Sequence, residues 1–421
     1  MLMSSNSLAP NPRALTPGEK LPREIKVLVA AAFLIAIGFG IVAPVLPQFA
    51  QSFHVSVGAA AVVVSAFAFT RLIFAPLSGV LVERLGERRT YILGILIVGA
   101  SSAACAFAHS YWQLLLFRGL GGIGSTMFTV AAMGLLIRLA PPKARGRVSS
   151  LYAGSFLLGN IAGPAVGGLL AGFGLQLPFL VYAGALVLVA ILVATQLPAA
   201  KAVPAQSGAS VPARKEVLPL RTALGIPAYR ALLTSNFANG WSAFGIRMAL
   251  VPLFASAALG AGPEVAGISL AVFAIGTAVA LTFSGKLADT WGRKPMILSG
   301  LAVNGAAMAV LGLTGNEFWF FVVSAIAGLG SGLMGPAQQA TVADVIGNNR
   351  SGGKVLATFQ MSSDLGAIIG PIAAGLLVDT FSYAPAFAMA AAVSLLSLLL
   401  WLPARDPQKD VVAPLSAGGK P

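Results

Sequence analysis

The 421-residue chain is 57% hydrophobic and 10% charged, with 27 Lys and Arg against 13 Asp and Glu, a net charge of +14. Soluble domains carry roughly a quarter charged residues, and a mean hydropathy of +0.86 leaves too little polar surface to cover a water-soluble globule. An ordinary soluble enzyme and a disordered chain are excluded; one cysteine, Cys105, and two histidines, His54 and His109, leave no residue set for a disulfide framework, a Cys/His metal site or histidine-centred catalysis.

Residues 1–26 are polar, with Pro10, Pro12, Pro17 and Pro22, and read as a tail without a cleavable signal peptide. A spanning helix needs about 20 apolar residues. Such runs follow near 27–49, 58–81, 90–108, 112–139, 148–172 and 178–198. Residues 199–229, rich in Ala, Pro, Ser and basic side chains, read as a linker. A second set covers 230–256, 265–286, 295–314, 318–341, 354–378 and 384–402, and residues 403–421 form a polar tail. The expected class is therefore an all-α membrane protein of twelve transmembrane helices, with six-helix bundles at 27–198 and 230–402.

With the N-terminus placed in the cytoplasm, 24 of the 27 Lys and Arg fall at the inner ends of the runs or in inner segments, and the outer loops hold none. The positive-inside bias then puts both termini in the cytoplasm. The +14 charge reads as membrane-surface charge rather than as a nucleic-acid site. Tyr111, Trp112, Trp319 and Tyr383 sit near outer ends, and Tyr91, Tyr229, Trp291 and Trp401 near inner ends, as aromatic belts do.

The halves repeat. Gly79-Val-Leu-Val-Glu83-Arg84-Leu-Gly86 returns 206 positions later as Gly285-Lys-Leu-Ala-Asp289-Thr-Trp-Gly292. Gly119-Leu-Gly121 matches Gly328-Leu-Gly330 at 209, and Gly159-Asn-Ile-Ala-Gly163-Pro164 matches Gly366-Ala-Ile-Ile-Gly370-Pro371 at 207. Two six-helix units in the same orientation are a parallel repeat, whose expected cavity lies at the interface between halves.

These motifs also carry a resemblance. The loops after the second and eighth runs fit G-x-L-x-D-x-x-G-R-K of the major facilitator superfamily, nearly complete from Gly285 to Lys294 and altered in the first copy by Glu83 and by Glu87, which precedes Arg88 and Arg89. Arg118 with Gly122 and Gly124 resembles its R-x-x-x-G-x-G element. Gly159-x-x-x-Gly163-Pro164-x-x-Gly167-Gly168 is similar to the signature of its antiporter branches. The first run, Gly38-Phe-Gly40 through Pro44-Val-Leu-Pro47, is similar to that of twelve-helix drug:proton antiporters, including tetracycline exporters. The early acid of such antiporters is missing, since this stretch reads Leu34-Ile35-Ala36-Ile37. The resemblance implies a cytoplasmic gate built on Gly79, Glu83, Arg84, Gly86 and Arg88 in one half and on Gly285, Asp289, Gly292, Arg293 and Lys294 in the other. It implies that the bend at Gly163-Pro164 closes the outer side and limits proton leak. Topogenic charge and tight helix packing are the competing readings of the two motifs.

Arg71, Arg118, Arg247 and Asp364 lie deep in the runs. Each costs about 2.5–3.5 kcal/mol to insert, so they are expected to face an aqueous cavity or one another. Arg118 shares a helix face with Gly122, Ser125 and Thr129, and the resemblance makes it a coupling residue. Arg71 shares a face with Phe67, Phe74 and Ser78; Arg247 shares one with Asn236 and Gly240. Asp364, on a face with Gln360, is the expected proton carrier, against a reading as one half of a fixed Asp–Arg pair. Tyr152, Phe156, Asn160, Asn236, Asn239, Trp241, Phe244, Gln338 and Gln360 are the expected cavity residues, polar members ahead of aromatic ones.

No G-x-x-x-x-G-K-[ST] motif is present. No nucleotide, nucleic acid, metal or organic cofactor is expected, and energy would come from a proton gradient. The reading is a monomeric, proton-coupled antiporter of the bacterial inner membrane that exports small amphipathic compounds. Export of a neutral or anionic metabolite such as a sugar or peptide, and lipid transport, are the alternatives.

Overall fold

The computed structural model describes residues 22–140, 145–197, 216–347, 350–404 and 406. Its twelve long apolar helices are Arg23–Gln51, Val57–Leu85, Glu87–Ala106, Tyr111–Leu136, Leu151–Ala171 and Leu177–Gln196, then Pro227–Leu259, Pro263–Thr290, Arg293–Leu311, Glu317–Ile346, Gly353–Thr380 and Tyr383–Trp401. They are called here the first to twelfth spans. The tails and linker expected at 1–26, 199–229 and 403–421 fall mostly outside the described residues. From the linker, a two-residue strand β1 (Glu216–Val217) pairs in parallel with β2 (Arg350–Ser351), which lies between the tenth and eleventh spans. A short helix, Leu220–Leu224, leads into the seventh span.

Local chemistry sets the ends of the spans. Ser56, Ser110 and Asn316 cap the second, fourth and tenth by accepting from the N–H groups of Ala59, Gln113 and Trp319. The second and third spans join at Gly86, and the eighth and ninth at Gly292, with φ of 79° and 111°. That region suits glycine, which is why both copies of the repeated loop motif keep their glycine there. Leu116, Leu169, Leu188, Leu313 and Leu395 are among many large apolar side chains exposed on the outside. So wide an apolar surface fits a bilayer and not water.

Two spans depart from regular α-helix. The first is interrupted between Val42 and Leu46. The seventh contains a π-helical segment, Gly240–Ile246. Such a segment shifts the faces of a helix relative to one another.

The structural repeat runs at 206 positions through the fourth and tenth spans. Gly94 lies against Gly124, as Gly300 does against Gly330; Gly122 lies against Phe67, as Gly328 does against Phe273. Gly122 and Gly124 are therefore the counterparts of Gly328 and Gly330. This corrects the sequence match to Gly119 and Gly121, in which two Gly-x-Gly pairs three residues apart gave a false register.

The second span packs on the eleventh and the fifth on the eighth, joining the halves. One end of the molecule carries Arg84, Arg88, Arg293 and Lys294 and is called the basic face; the opposite end is the far face. Among the described residues, the side-chain hydrogen bonds between halves all lie toward the far face. Gln48 Nε2 donates to the Pro252 carbonyl at 3.3 Å, and Ser65 Oγ to the Ile368 carbonyl at 2.8 Å. The Asp379 carboxylate accepts from the backbone N–H groups of Val57 at 2.8 Å and Gly58 at 2.9 Å. Backbones also meet there: a Cβ on Gly168 would lie 2.7 Å from the Pro263 carbonyl oxygen. At the basic face, Gly79, Gly154, Gly285 and Gly335 have no such neighbour within 4 Å. The halves are fastened at the far face and part toward the basic one.

Candidate functional site

Four residues form a chain across the middle of the molecule. Thr70 Oγ1 donates to the Gly119 carbonyl at 2.7 Å, fixing the second span against the fourth. This sets Arg118 over the ring of Phe67, with Cζ 4.2 Å from the centroid, and 5.7 Å from that of Phe39 on the first span. Arg118 is buried, and its Nε has no hydrogen-bond partner. A desolvated guanidinium on an aromatic face is worth about 2 kcal/mol, which offsets part of its insertion cost. Phe67 and Arg71 lie one turn apart on the same face. Arg71, in the first half, and Asp364, in the second, lie within electrostatic reach of each other, with no ion pair or hydrogen bond between them among the described residues. Arg118, Phe67, Arg71 and Asp364 thus connect the fourth, second and eleventh spans, on the basic-face side of the Ser65–Ile368 hydrogen bond.

Arg247 does not join them. It is fully buried within the second half, with Cζ 4.1 Å from the Phe273 centroid and Nη2 3.7 Å from Met308 Sδ. Its Nε and Nη1 have no partner. The expectation of a cavity-facing or acid-paired arginine fails here for a local reason: the π-helical segment ends at Ile246, so Arg247 leaves the stripe that a regular helix would give it with Asn236 and Gly240.

The expected cavity residues separate into two groups. Asn236 is buried, and its Nδ2 donates to the Phe359 carbonyl at 2.6 Å and to Ser362 Oγ at 3.2 Å, which ties the seventh span to the eleventh. Trp241 is buried beside Phe237, with ring centroids 5.6 Å apart. Tyr152 and Phe156 are half-buried with rings 5.5 Å apart, and Asn160 is half-buried one turn on. Gln360 and Phe244 are exposed. Gln338 Nε2, Asn239 Oδ1 and Trp241 Nε1 are buried without hydrogen-bond partners. Buried polar atoms of this kind normally require a partner.

The two loop motifs bind within their own halves. Arg293 pairs with Asp289 and, at 3.3 Å, with Asp344. Lys294 Nζ donates to the carbonyls of Leu402 at 2.7 Å and Ala404 at 2.8 Å. Glu87 pairs with Arg138 at 3.3 Å, and Arg88 donates to the Ala194 carbonyl. Glu83 and Arg84 are exposed. The glycines of the fifth span lie on the first: a Cβ on Gly163 would sit 2.7 Å from Gly40 Cα, and one on Gly159 2.6 Å from Ala36 Cβ. Pro164 in turn packs on Gly40 as Pro371 does on Gly245. Gly167 lies against Ile41, and Gly168 against Glu264 of the other half.

A polytopic bundle of two similar halves, fastened at one face and carrying buried charges at mid-depth, is the build of a membrane carrier. The model of the Major Facilitator Superfamily matches residues 28–246 and 232–421, and the chain belongs to that superfamily. It is 26% identical over 394 residues to Multidrug resistance protein 2 of Bacillus subtilis (strain 168), covering 92% of this chain and 96% of that protein. It is 26% identical over 384 residues to the quinolone resistance protein NorA of Staphylococcus aureus (strain MRSA252), covering 90% and 96%. The fold is similar to that of a bacterial homolog of the human lysosomal transporter Spinster in an inward-facing and occupied conformation, with a TM-score of 0.75, 18% identity and coverage of 90% and 95%. It is also similar to a POT family transporter in complex with 5-aminolevulinic acid, with a TM-score of 0.74, 12% identity and coverage of 91% and 96%. The chain is a multi-pass protein of the bacterial inner membrane.

Proposed function

We propose that this protein exports small amphipathic compounds by alternating access, driven by protons moving inward, and works as a monomer with its basic face in the cytoplasm. The names of the multidrug and quinolone resistance relatives support the cargo class. The distribution of Lys and Arg supports the orientation. In that orientation the conformation described is open inward.

The placement of two charges carries the coupling: Asp364, the only acid deep in a span among the described residues, and Arg71 lie in opposite halves on the basic-face side of the Ser65–Ile368 hydrogen bond, within electrostatic reach of each other. A proton on the Asp364 carboxylate cancels its attraction for Arg71, and loss of the proton restores it. The charge state of one side chain thereby changes the force between the halves.

The test is transport into proteoliposomes under an imposed pH gradient, with a fluoroquinolone and a lipophilic cationic dye as probes. Wild-type protein moves them with the gradient, and Asp364→Asn abolishes gradient-driven movement while retaining exchange down a substrate gradient. Undiminished gradient-driven transport by Asp364→Asn would falsify the coupling role. A second reading rests on Arg118, a buried cation with no carboxylate partner among the described residues: export of a neutral or anionic metabolite. Transport of sugars, peptides or organic anions in the same panel, with neither drug probe moved, would establish it instead.

A further inference from the structure

The far-face hydrogen bonds of Asp379 have a feature that ordinary helix packing lacks. Asp379 is the second residue from the end of the eleventh span, Gly353–Thr380. A carboxylate there faces the negative end of its own helix dipole and is disfavoured by it. Its partners lie in the other half. Val57 and Gly58 are the first two residues of the second span, and their N–H groups have no partner within their own helix. Ser56 already accepts from Ala59 N–H at 3.2 Å, and the Ser56 carbonyl from Ala60 N–H at 3.0 Å. Asp379 supplies the two remaining acceptors, so the first turn is fully satisfied only while the halves touch.

The approach is as close as backbones allow. A Cβ on Gly375 would lie 2.6 Å from Gly58 Cα, and one on Gly58 2.7 Å from Asp379 Oδ2. Opening the far face would strip two charge-assisted bonds from an exposed helix start. It would also leave Asp379 beside its own helix's carbonyl end. Both losses act in the same direction.

We propose that Asp379 is a positioning residue for the transport cycle: a latch that holds the far face shut by capping the second span from the opposite half. The inference assumes a carrier with two faces and needs neither proton coupling nor a particular cargo.

Distances between spin labels test it in full-length protein in nanodiscs without substrate or pH gradient, on a Cys105→Ser background. Phe107→Cys and Leu313→Cys, both strongly exposed, report the far face; Leu85→Cys and Trp291→Cys report the basic face. Asp379→Asn keeps the size of the side chain and removes its charge. It is expected to raise the far-face-open population about tenfold, the scale set by losing roughly 1.4 kcal/mol of differential stability, while the basic-face distance shortens. Gly58→Ala attacks the same contact from the other partner and is expected to shift both distances the same way. Ser56→Ala removes the cap within the second span and no contact between halves, so it leaves the distances unchanged. Unchanged distances in both Asp379→Asn and Gly58→Ala overturn the proposal, as does an equal shift in Ser56→Ala. Loss of drug transport with unaltered distances would count against the latch and leave the exporter reading in place.

Discussion

Glu87 and Arg138 form an ion pair of 3.3 Å where the third span begins and the fourth ends, and 206 positions later the same two places hold Arg293 and Asp344, also at 3.3 Å, with the charges exchanged. The exchange is not neutral. A carboxylate at a helix start and a guanidinium at a helix end both agree with the helix dipoles, worth about 0.3–1 kcal/mol each. Glu87 and Arg138 have this arrangement. Arg293 and Asp344 have the opposite one and depend on each other and on Asp289. Asp344→Asn gives up the pair but relieves an unfavourable dipole contact, while Arg138→Gln gives up the pair and a favourable one, so Asp344→Asn should lower thermal stability less than Arg138→Gln does. Installing the second half's order in the first, by Glu87→Arg with Arg138→Asp, should recover the pair but stay below wild type. A double-mutant cycle on thermal unfolding in nanodiscs measures this. Equal effects of Asp344→Asn and Arg138→Gln would show that the dipoles are screened out at this face.

Asn236 was expected to line the cavity, and instead it is held between two helices of one half. Its amide donates to the Phe359 carbonyl and to Ser362. Hydrogen bonds between helices in bilayers average about 0.6 kcal/mol, with a maximum near 1.7. Asn236→Ala is expected to cost an amount in that range, read as a lower unfolding midpoint, with the KM for the fluoroquinolone unchanged. A large rise in KM at unaltered stability would return Asn236 to the substrate pathway.

The span pattern was legible because insertion of a helix depends on a local property, about 20 apolar residues in a row. The deep charges were legible for the same reason, since each stands out against its run. Residue facing was less so. One added residue per turn at Gly240–Ile246 takes Arg247 out of its expected stripe, and no composition signal marks a π-helical segment among residues that also form α-helix. The two Gly-x-Gly pairs of the fourth span left a three-residue ambiguity that only the contacts of Gly122 and Gly124 resolve. Asp379 went unremarked because an acid near a helix end looks like interfacial charge. Its partners are backbone N–H groups 321 and 322 positions away, which carry no sequence signature.

Gly163 tests whether the Gly-Pro element acts by packing. A Cβ there would meet the Ile37 carbonyl oxygen at 2.5 Å and Gly40 Cα at 2.7 Å, and both of these belong to backbone. Rigid backbone cannot give way as a side chain can, so overpacking should cost about 1–3 kcal/mol. Gly163→Val is expected to lower the unfolding midpoint and transport together. Gly154→Val, in the same span with no neighbour within 4 Å of its Cβ position, is expected to change neither. Normal stability in Gly163→Val with raised proton leak in unloaded proteoliposomes would favour a sealing role over packing.

Arg247 separates burial from function. Its guanidinium rests on Phe273 and Met308 with two nitrogens unpartnered, and no carboxylate pairs with it among the described residues. A cation–π contact worth about 2 kcal/mol does not recover the several kcal/mol of desolvating an ion. Replacing a buried ion with an apolar side chain of similar length is often neutral or stabilising. Arg247→Met is therefore expected to hold or raise the unfolding midpoint. It should leave gradient-driven transport near wild type, since Arg247 stands apart from the chain of Arg118, Phe67, Arg71 and Asp364. Arg118→Met is the comparison: its arginine sits on that chain, and the substitution should remove gradient-driven transport. Loss of transport in Arg247→Met with an unchanged midpoint would mean that Arg247 leaves its aromatic seat during the cycle and meets a partner in the other conformation.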